Sequence, residues 1–154
     1  MEIGVYDGDN AVSMIEAALQ VVFIPSEVEY YGFDFFAYYS SSQIAKKLDE
    51  TGCRYRLFRG DTLETLPCVV KELPRMDLIF IDGGKSYAEA ESDWEHSRSL
   101  MYEGSAVFVH NYEFQGVRRM VDGISRREYE VKVLKIPYEG SVALIRMLRD
   151  SSPA

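Results

Sequence analysis

Short apolar runs alternate along the chain with longer amphipathic stretches, and that alternation predicts strands and helices in turn. Ile3, Val5 and Tyr6 read as a first strand, followed by the turn Asp7-Gly8-Asp9. Asn10 or Asp9 is placed to cap a helix over 11–22. That helix is apolar on most of its circumference, with Ser13, Glu16 and Gln20 as a narrow polar stripe, so it is expected to be largely covered. A second strand over 28–33 ends in Asp34, and the next residues, 35–39, are strongly aromatic. Ser40 to Ser42 cap a helix running through Glu50, with Ile44 and Leu48 inward and Gly52 as its stop. In the third strand, 53–58, Arg54 and Arg56 alternate with Cys53, Tyr55 and Leu57. After the turn Gly60-Asp61-Thr62, Pro67 suits the first turn of a short helix ending near Leu73.

The run 76–81 is nearly continuous in apolar residues, the pattern of a central strand buried on both faces, and it ends in Asp82-Gly83-Gly84. Ser86 and Glu89 form a capping box for the next helix, whose Tyr87, Ala90 and Trp94, with Met101 beyond, should face the sheet while His96 is solvated. A strand over 105–109 ends in His110-Asn111-Tyr112. Val117, Met120, Val121 and Ile124 mark one more amphipathic helix, and strands over 129–136 and 141–148 read as an antiparallel hairpin. Residues 150–154 are expected to fray, leaving one domain over 1–149. Strand–helix units followed by a hairpin predict an α/β fold. It is a three-layer, doubly wound, mostly parallel seven-stranded sheet with a C-terminal antiparallel β-hairpin.

Ligands of such sheets bind at the carboxyl ends of the strands, and here those ends carry Asp7, Asp34, Asp61, Asp82 and His110-Asn111. A lone loop acid is a turn former, but polar residues at consecutive strand ends point to a shared cleft. The net charge of −8 disfavours a broad electrostatic grip on nucleic acid or an anionic membrane, and Arg118-Arg119 and Arg126-Arg127 read as a solvated helix face. No apolar run is long enough to span a bilayer and no secretory signal is evident, so a cytoplasmic location is expected, with Cys53 and Cys68 as buried thiols.

Glu2, Asp7 and Asp9 surround the glycines of the first loop with no Lys or Arg adjacent, so a pyrophosphate there would be repelled. The chain has no phosphate-loop sequence and no complete Gly-x-Gly-x-x-Gly fingerprint. Asp34 is placed to accept from two ribose hydroxyls and Asp61 from an adenine amino group. A nucleoside with a positive centre and an amino-acid tail, S-adenosylmethionine, fits all of these.

The residues Glu2-Ile3-Gly4 with Gly8, Tyr31-Gly32-Phe33-Asp34 and Gly60-Asp61-Thr62-Leu63 carry a family resemblance. So do Ile81-Asp82-Gly83 with Ser86-Tyr87, Asp93-Trp94 and His110-Asn111-Tyr112. The chain resembles class I S-adenosylmethionine-dependent methyltransferases, within them the small-molecule O-methyltransferase branch, over nearly its whole length. The resemblance implies the Rossmann-like methyltransferase fold and a cofactor site at Glu2, Gly4, Tyr6, Gly8, Asp34, Phe35, Asp61, Thr62 and Asp82. It places Asp82 on the sulfonium side of the cleft close to the acceptor, and by their own chemistry Lys85 and His110 join it as candidate catalytic residues. Relatives often bind Mg²⁺ at the fourth and fifth strand ends, which here are Asp82, His110 and Asn111. Branch members commonly have His in place of Lys85 and Asp in place of Asn111, and the lost Asp weakens a hard-metal site. They also carry helices before the first strand, so the acceptor site here is expected to be open or completed by a partner, compatible with a homodimer.

The expected reaction is direct displacement onto the hydroxyl of a small-molecule acceptor, with His110 or Lys85 as base or Lys85 as an oxyanion stabiliser. Tyr38, Tyr39, Tyr87 and Tyr112 are candidates for the acceptor pocket. Two readings stay beside this one: a non-catalytic adenosyl-cofactor-binding or interaction subunit, and an NAD-dependent oxidoreductase, which the acidic first loop disfavours.

Overall fold

The shortest strand, an interior one, is ended early by a glycine and a tyrosine that both take a left-handed backbone. In the computed structural model, which describes residues 1–137 and 140–148, β1 (Glu2–Ile3) stops before Gly4 (φ 86°) and Tyr6 (φ 52°). Val5, expected in the strand, is buried in the loop instead. The chain continues through α1 (Asp9–Leu19), β2 (Glu29–Asp34), α2 (Ser41–Asp49), β3 (Arg54–Arg59) and α3 (Thr62–Val69). It then forms β4 (Leu78–Ile81), α4 (Tyr87–Arg98), β5 (Ala106–His110), α5 (Gln115–Gly123), β6 (Tyr129–Ile136) and β7 (Gly140–Met147). The tail expected to fray lies outside the described residues.

Among the described residues seven strands form one sheet in the order β3-β2-β1-β4-β5-β7-β6. The first five strands run parallel to one another, and β7 runs antiparallel between β5 and β6. The order reverses at β1, where β2 leaves on one side and β4 on the other, so a crevice opens beyond the end of β1. Successive residues of a strand face opposite layers. Tyr30 packs with Ala11, Ile15, Ile44 and Leu48 under α1 and α2. Its neighbour Tyr31 joins Ile3, Phe33, Ile79 and Val107 under α3, α4 and α5, where Leu66, Trp94 and Val121 close the second core.

The predicted caps of α2 and α4 are present as full capping boxes, Ser40 with Gln43 and Ser86 with Glu89. The start of α1 differs: Gly8, left-handed at φ 82°, is the N-cap, and neither Asn10 nor Asp9 caps. The Asn10 side chain is instead drawn to Glu2. Nor is α1 largely covered, because only Ala11 and Ile15 are buried, while Val21 and Phe23 beyond its end are exposed. Pro67 lies inside α3 rather than in its first turn, since Asp61 starts the helix by accepting from Leu63 N at 3.0 Å. In β4 only Ile79 and Ile81 are buried; Leu78 and Phe80 keep partial exposure, so one face of that strand is less covered than its apolar run suggests. Cys53 is buried but Cys68 is exposed, and His96 is half-buried with Nδ1 2.7 Å from the Ser92 carbonyl. Arg118 and Arg119 are exposed on α5, as expected of a solvated face, with their guanidinium groups over the rings of Tyr112 and Tyr87. No helix among the described residues is long and apolar enough to cross a membrane.

Candidate active site

Close approach of two backbones shapes the floor of the crevice. Asp82 N donates to Ile3 O and Gly4 N to Phe33 O, each at 2.8 Å. A Cβ on Gly4 would sit 2.4 Å from the Asp82 carbonyl oxygen, so at φ 86° only glycine fits. Above this floor lies a cleft of about 500 Å³. Tyr6, Phe33, Phe35, Tyr38 and Tyr39 wall it, and the carboxylates of Asp34, Asp61, Asp82 and Glu89 line it. Lys85 is the cation among its described lining residues. A smaller cavity of about 340 Å³, bordered by Met14, Tyr31 and Met76, opens at the opposite ends of the strands, away from the convergent acids.

The structure therefore brings Gly4, Tyr6, Asp34, Phe35, Asp61, Thr62, Asp82 and Lys85 to one cleft. Glu2 and Gly8 stand behind it. Glu2 is buried, accepting from Tyr30 Oη and, at 2.6 Å, from Asn10 Nδ2. Burial pushes its carboxyl up to about 7, partly offset by those two donors. Gly8 caps α1 against Ile44.

Asp34 has a structural task as well. Its Oδ2 accepts from Val5 N at 2.9 Å and Tyr6 N at 3.1 Å, and its Oδ1 from Phe36 N at 2.6 Å. Tyr6 and Phe36 are both left-handed, at φ 52°, so one carboxylate holds the two strained loops that frame the cleft. The first loop is also not isolated from bases: Lys47 reaches across from α2 to Asp9 at 2.5 Å and is consumed there.

Asp93 carries no role in the sequence reading, yet it lies fully buried on α4 under the cleft floor. A Cβ on Gly83 would come within 2.9 Å of its Oδ2. Neither oxygen has a well-formed hydrogen bond among the described residues. Burial raises its pKa to about 6, with the facing Thr62 hydroxyl pulling the other way. The available signal was its spacing: Ala90, Asp93 and Ser97 share the inward face of one helix.

Asp82, Lys85 and His110 form one cluster. Lys85 Nζ lies 2.5 Å from Asp82 Oδ1, and His110 Nδ1 lies 3.0 Å from Asp82 Oδ2. The β4–β5 pairing, Ile81 opposite Val109, puts Asp82 and His110 side by side. Asn111 is turned away: it is left-handed at φ 58° and its amide donates to Glu113 at 3.4 Å. Glu113 in turn accepts from Ser141 N at 3.0 Å and Ser141 Oγ at 2.6 Å.

These residues do not fit the Mg²⁺ that the resemblance implied at Asp82, His110 and Asn111. Both oxygens of the one carboxylate are engaged, one by an ammonium, and a divalent cation prefers several oxygens to an imidazole and a lysine. Among the described residues no group of three or more His, Cys, Asp or Glu side chains is arranged to hold a metal.

A doubly wound sheet with an acid-lined crevice at its switch point defines a nucleotide- or nucleoside-handling α/β protein of the Rossmann-like class. Residues 1–112 match the family model of a methyltransferase domain, and the chain belongs to that family. Similar solved structures include apo CalS11, a TDP-rhamnose 3'-O-methyltransferase in calicheamicin biosynthesis, with a TM-score of 0.78 and 21% identity over 95% of this chain and 70% of that one. The O-methyltransferase TomG from Streptomyces achromogenes, solved with S-adenosylmethionine, has a TM-score of 0.71 and 17% identity over 95% of this chain and 71% of that one. An O-methyltransferase from Bacillus cereus in complex with S-adenosylhomocysteine has a TM-score of 0.70 and 19% identity over 96% of this chain and 72% of that one. At these identities the likeness establishes the fold. No curated protein sequence matches the chain.

Proposed function

We propose that the protein is an S-adenosylmethionine-dependent O-methyltransferase acting on a small-molecule hydroxyl. The observation that carries the reading is the charge and shape of the cleft. Four carboxylates and a glycine floor meet aromatic walls, which suits a sulfonium-bearing nucleoside and opposes a pyrophosphate. The solved O-methyltransferases of like fold, two of them holding this cofactor or its product, support the same choice.

The residues present fit the cofactor. Gly4 lets the ends of β1 and β4 close into one smooth floor, and Asp34 and Asp61 lie at the second and third strand ends where ribose and adenine would be held. When bound, S-adenosylmethionine supplies an electrophilic methyl group. The protein's part is to bind, align and desolvate: Tyr6 and Phe35, which line the cleft, would cover the nucleoside, and Asp82 at the floor would stand beside the acceptor. The Asp82–His110 pair takes up the proton that the acceptor hydroxyl loses.

Calorimetric titration with S-adenosylmethionine, S-adenosylhomocysteine and NAD tests this. Binding of the two adenosyl compounds with no heat from NAD is expected. Failure to bind either adenosyl compound would overturn the reading, and NAD binding in their stead would make the protein an oxidoreductase candidate.

A further inference from the structure

The lysine in the Asp82 cluster is hard to reconcile with a metal-assisted reaction. We infer that this methyl transfer is metal-independent, with the Lys85 ammonium as its electrostatic centre, and that its acceptor is a phenol presenting a single reacting oxygen. The inference rests on the methyltransferase reading above and names that site's electrophilic group and substrate class.

Lys85 lines the cleft and is held by Asp82 Oδ1 at 2.5 Å, three residues away, so its charge is fixed at the cleft wall. His110 engages the other oxygen of the same carboxylate at 3.0 Å. A metal ion added to Asp82 would have to displace the ammonium or share one carboxylate with it. Asn111, the remaining position expected to help, points its amide at Glu113.

An ammonium and a metal ion select different acceptors. Mg²⁺ takes several oxygens in octahedral array and so favours vicinal oxygens that chelate. A lysine is a compact point charge that stabilises one oxyanion without chelation. It is a weaker electrophile, so the hydroxyl must be acidic on its own account. A phenol, with a pKa of about 10, meets that requirement, whereas an aliphatic hydroxyl, nearer the roughly 16 of water, does not. The rim of the cleft fits an aromatic acceptor. Tyr6, Phe35 and Tyr38 are more than half exposed there, and Tyr6 stands edge-on to Tyr38 and Tyr39 with ring centroids 6.2 and 5.1 Å apart. In the reaction the phenol O–H bond breaks and its proton passes to the Asp82–His110 pair. The oxygen forms the new O–C bond as the methyl–sulfur bond breaks, and that electron pair stays on sulfur. The products are an aryl methyl ether and a neutral thioether, with one proton released.

The test has two arms on the full chain, after S-adenosylhomocysteine binding has been measured; lack of that binding defeats the proposed function itself. In the first, Mn²⁺ is titrated and followed by electron paramagnetic resonance. Wild type and Asp82→Asn should bind Mn²⁺ equally weakly, whereas Lys85→Ala combined with Asn111→Asp should gain a site. Mn²⁺ binding in wild type that disappears in Asp82→Asn would overturn the inference. In the second arm, simple phenols, catechols and sugars are offered with EDTA or with Mg²⁺. Methylation of a simple phenol in EDTA, not raised by Mg²⁺, is expected. Lys85→Met should lower kcat more than about tenfold with S-adenosylhomocysteine affinity kept, and Lys85→Arg should restore part of it. Turnover that requires Mg²⁺, turnover of catechols or sugars alone, full activity in Lys85→Met, or no turnover of any phenol despite cofactor binding would each overturn it.

Discussion

The Asp34 carboxylate accepts the backbone N–H of Tyr6 at 3.1 Å, and Tyr6 keeps a left-handed backbone at φ 52°. Through the same side chain Asp34 also holds Phe36, left-handed at the same angle, on the opposite loop. The residue placed to hold a ribose thus first builds the walls around it. Asp34→Ala is expected to cost about 2 kcal/mol or more of stability, because charge-assisted bonds to strained backbone are lost. It should also weaken S-adenosylhomocysteine binding more than about tenfold. Asp34→Asn, which keeps acceptors, should recover most of the stability and less of the affinity. Urea unfolding and calorimetry on both variants check this, and unchanged affinity in Asp34→Ala would move the ribose elsewhere.

The floor of the cleft makes a sharper steric prediction. Gly4→Ala would set a methyl 2.4 Å from the Asp82 carbonyl oxygen in a backbone conformation that resists a side chain. The clash is with backbone at the centre of the sheet, so no flexible atom can yield. A loss of about 3 kcal/mol or more is expected, with cofactor binding abolished even where the variant folds. Gly123→Ala, where a Cβ meets nothing, serves as the control and should fold and bind like wild type. Thermal melts and calorimetry read both.

What was legible in the chain, and what was not, follows one physical division. Period and capping are local, so the helices at Ser40 and Ser86 and the amphipathic α5 could be read directly. The polar strand ends were legible for the same reason, and the structure gathers Asp34, Asp61 and Asp82 into one cleft. Long-range pairing left no local mark. Nothing beside Asp9 announces Lys47, and nothing beside Glu2 announces that Tyr30 will bury it. Asp93 had a local mark, its inward helical position beside Trp94, but nothing local shows what its buried carboxyl faces. The Mg²⁺ expectation at Asp82, His110 and Asn111 came from the family resemblance, which carries positions at strand ends and not side-chain directions. Strand register sets the first two side by side, and the left-handed backbone at Asn111 turns the third away.

Glu113 ties the loop after β5 to the start of β7 by accepting from both the amide and the hydroxyl of Ser141. Those bonds, the Ser141 hydroxyl foremost, hold its carboxyl down at about 2, below its ordinary 4.5. A depressed folded pKa contributes stability that is present above the unfolded pKa and lost as pH falls from about 4.5 towards 2. Glu113→Gln should therefore lower the melting temperature at pH 7, and its difference from wild type should shrink steadily below pH 4.5. A difference independent of pH would show that the clasp works through packing rather than charge.

Glu2 sets the opposite pH dependence. Its carboxyl is buried beside β2 and raised from 4.5 to about 7, and Asp93 is raised from 3.8 to about 6, both chiefly by desolvation. A raised acid means that the folded state binds more protons than the unfolded chain between the two values, so stability falls as pH rises through that window. For Glu2 the penalty is absent below pH 4.5, grows to pH 7 and is constant above it, amounting to about 3 kcal/mol at most. Asp93 adds a penalty of the same sign over its own window, so wild type alone gives a mixed profile. Glu2→Gln isolates the carboxyl, because glutamine keeps the shape and can still bond Tyr30 while carrying no charge. The variant should match wild type near pH 4.5 and exceed it by about 1–3 kcal/mol at pH 8 in urea unfolding. Equal stabilities at both pH values would mean that the Tyr30 and Asn10 bonds fully offset the burial of the charge. A less stable variant at pH 8 would mean that the ionised carboxylate is a net support of the sheet centre.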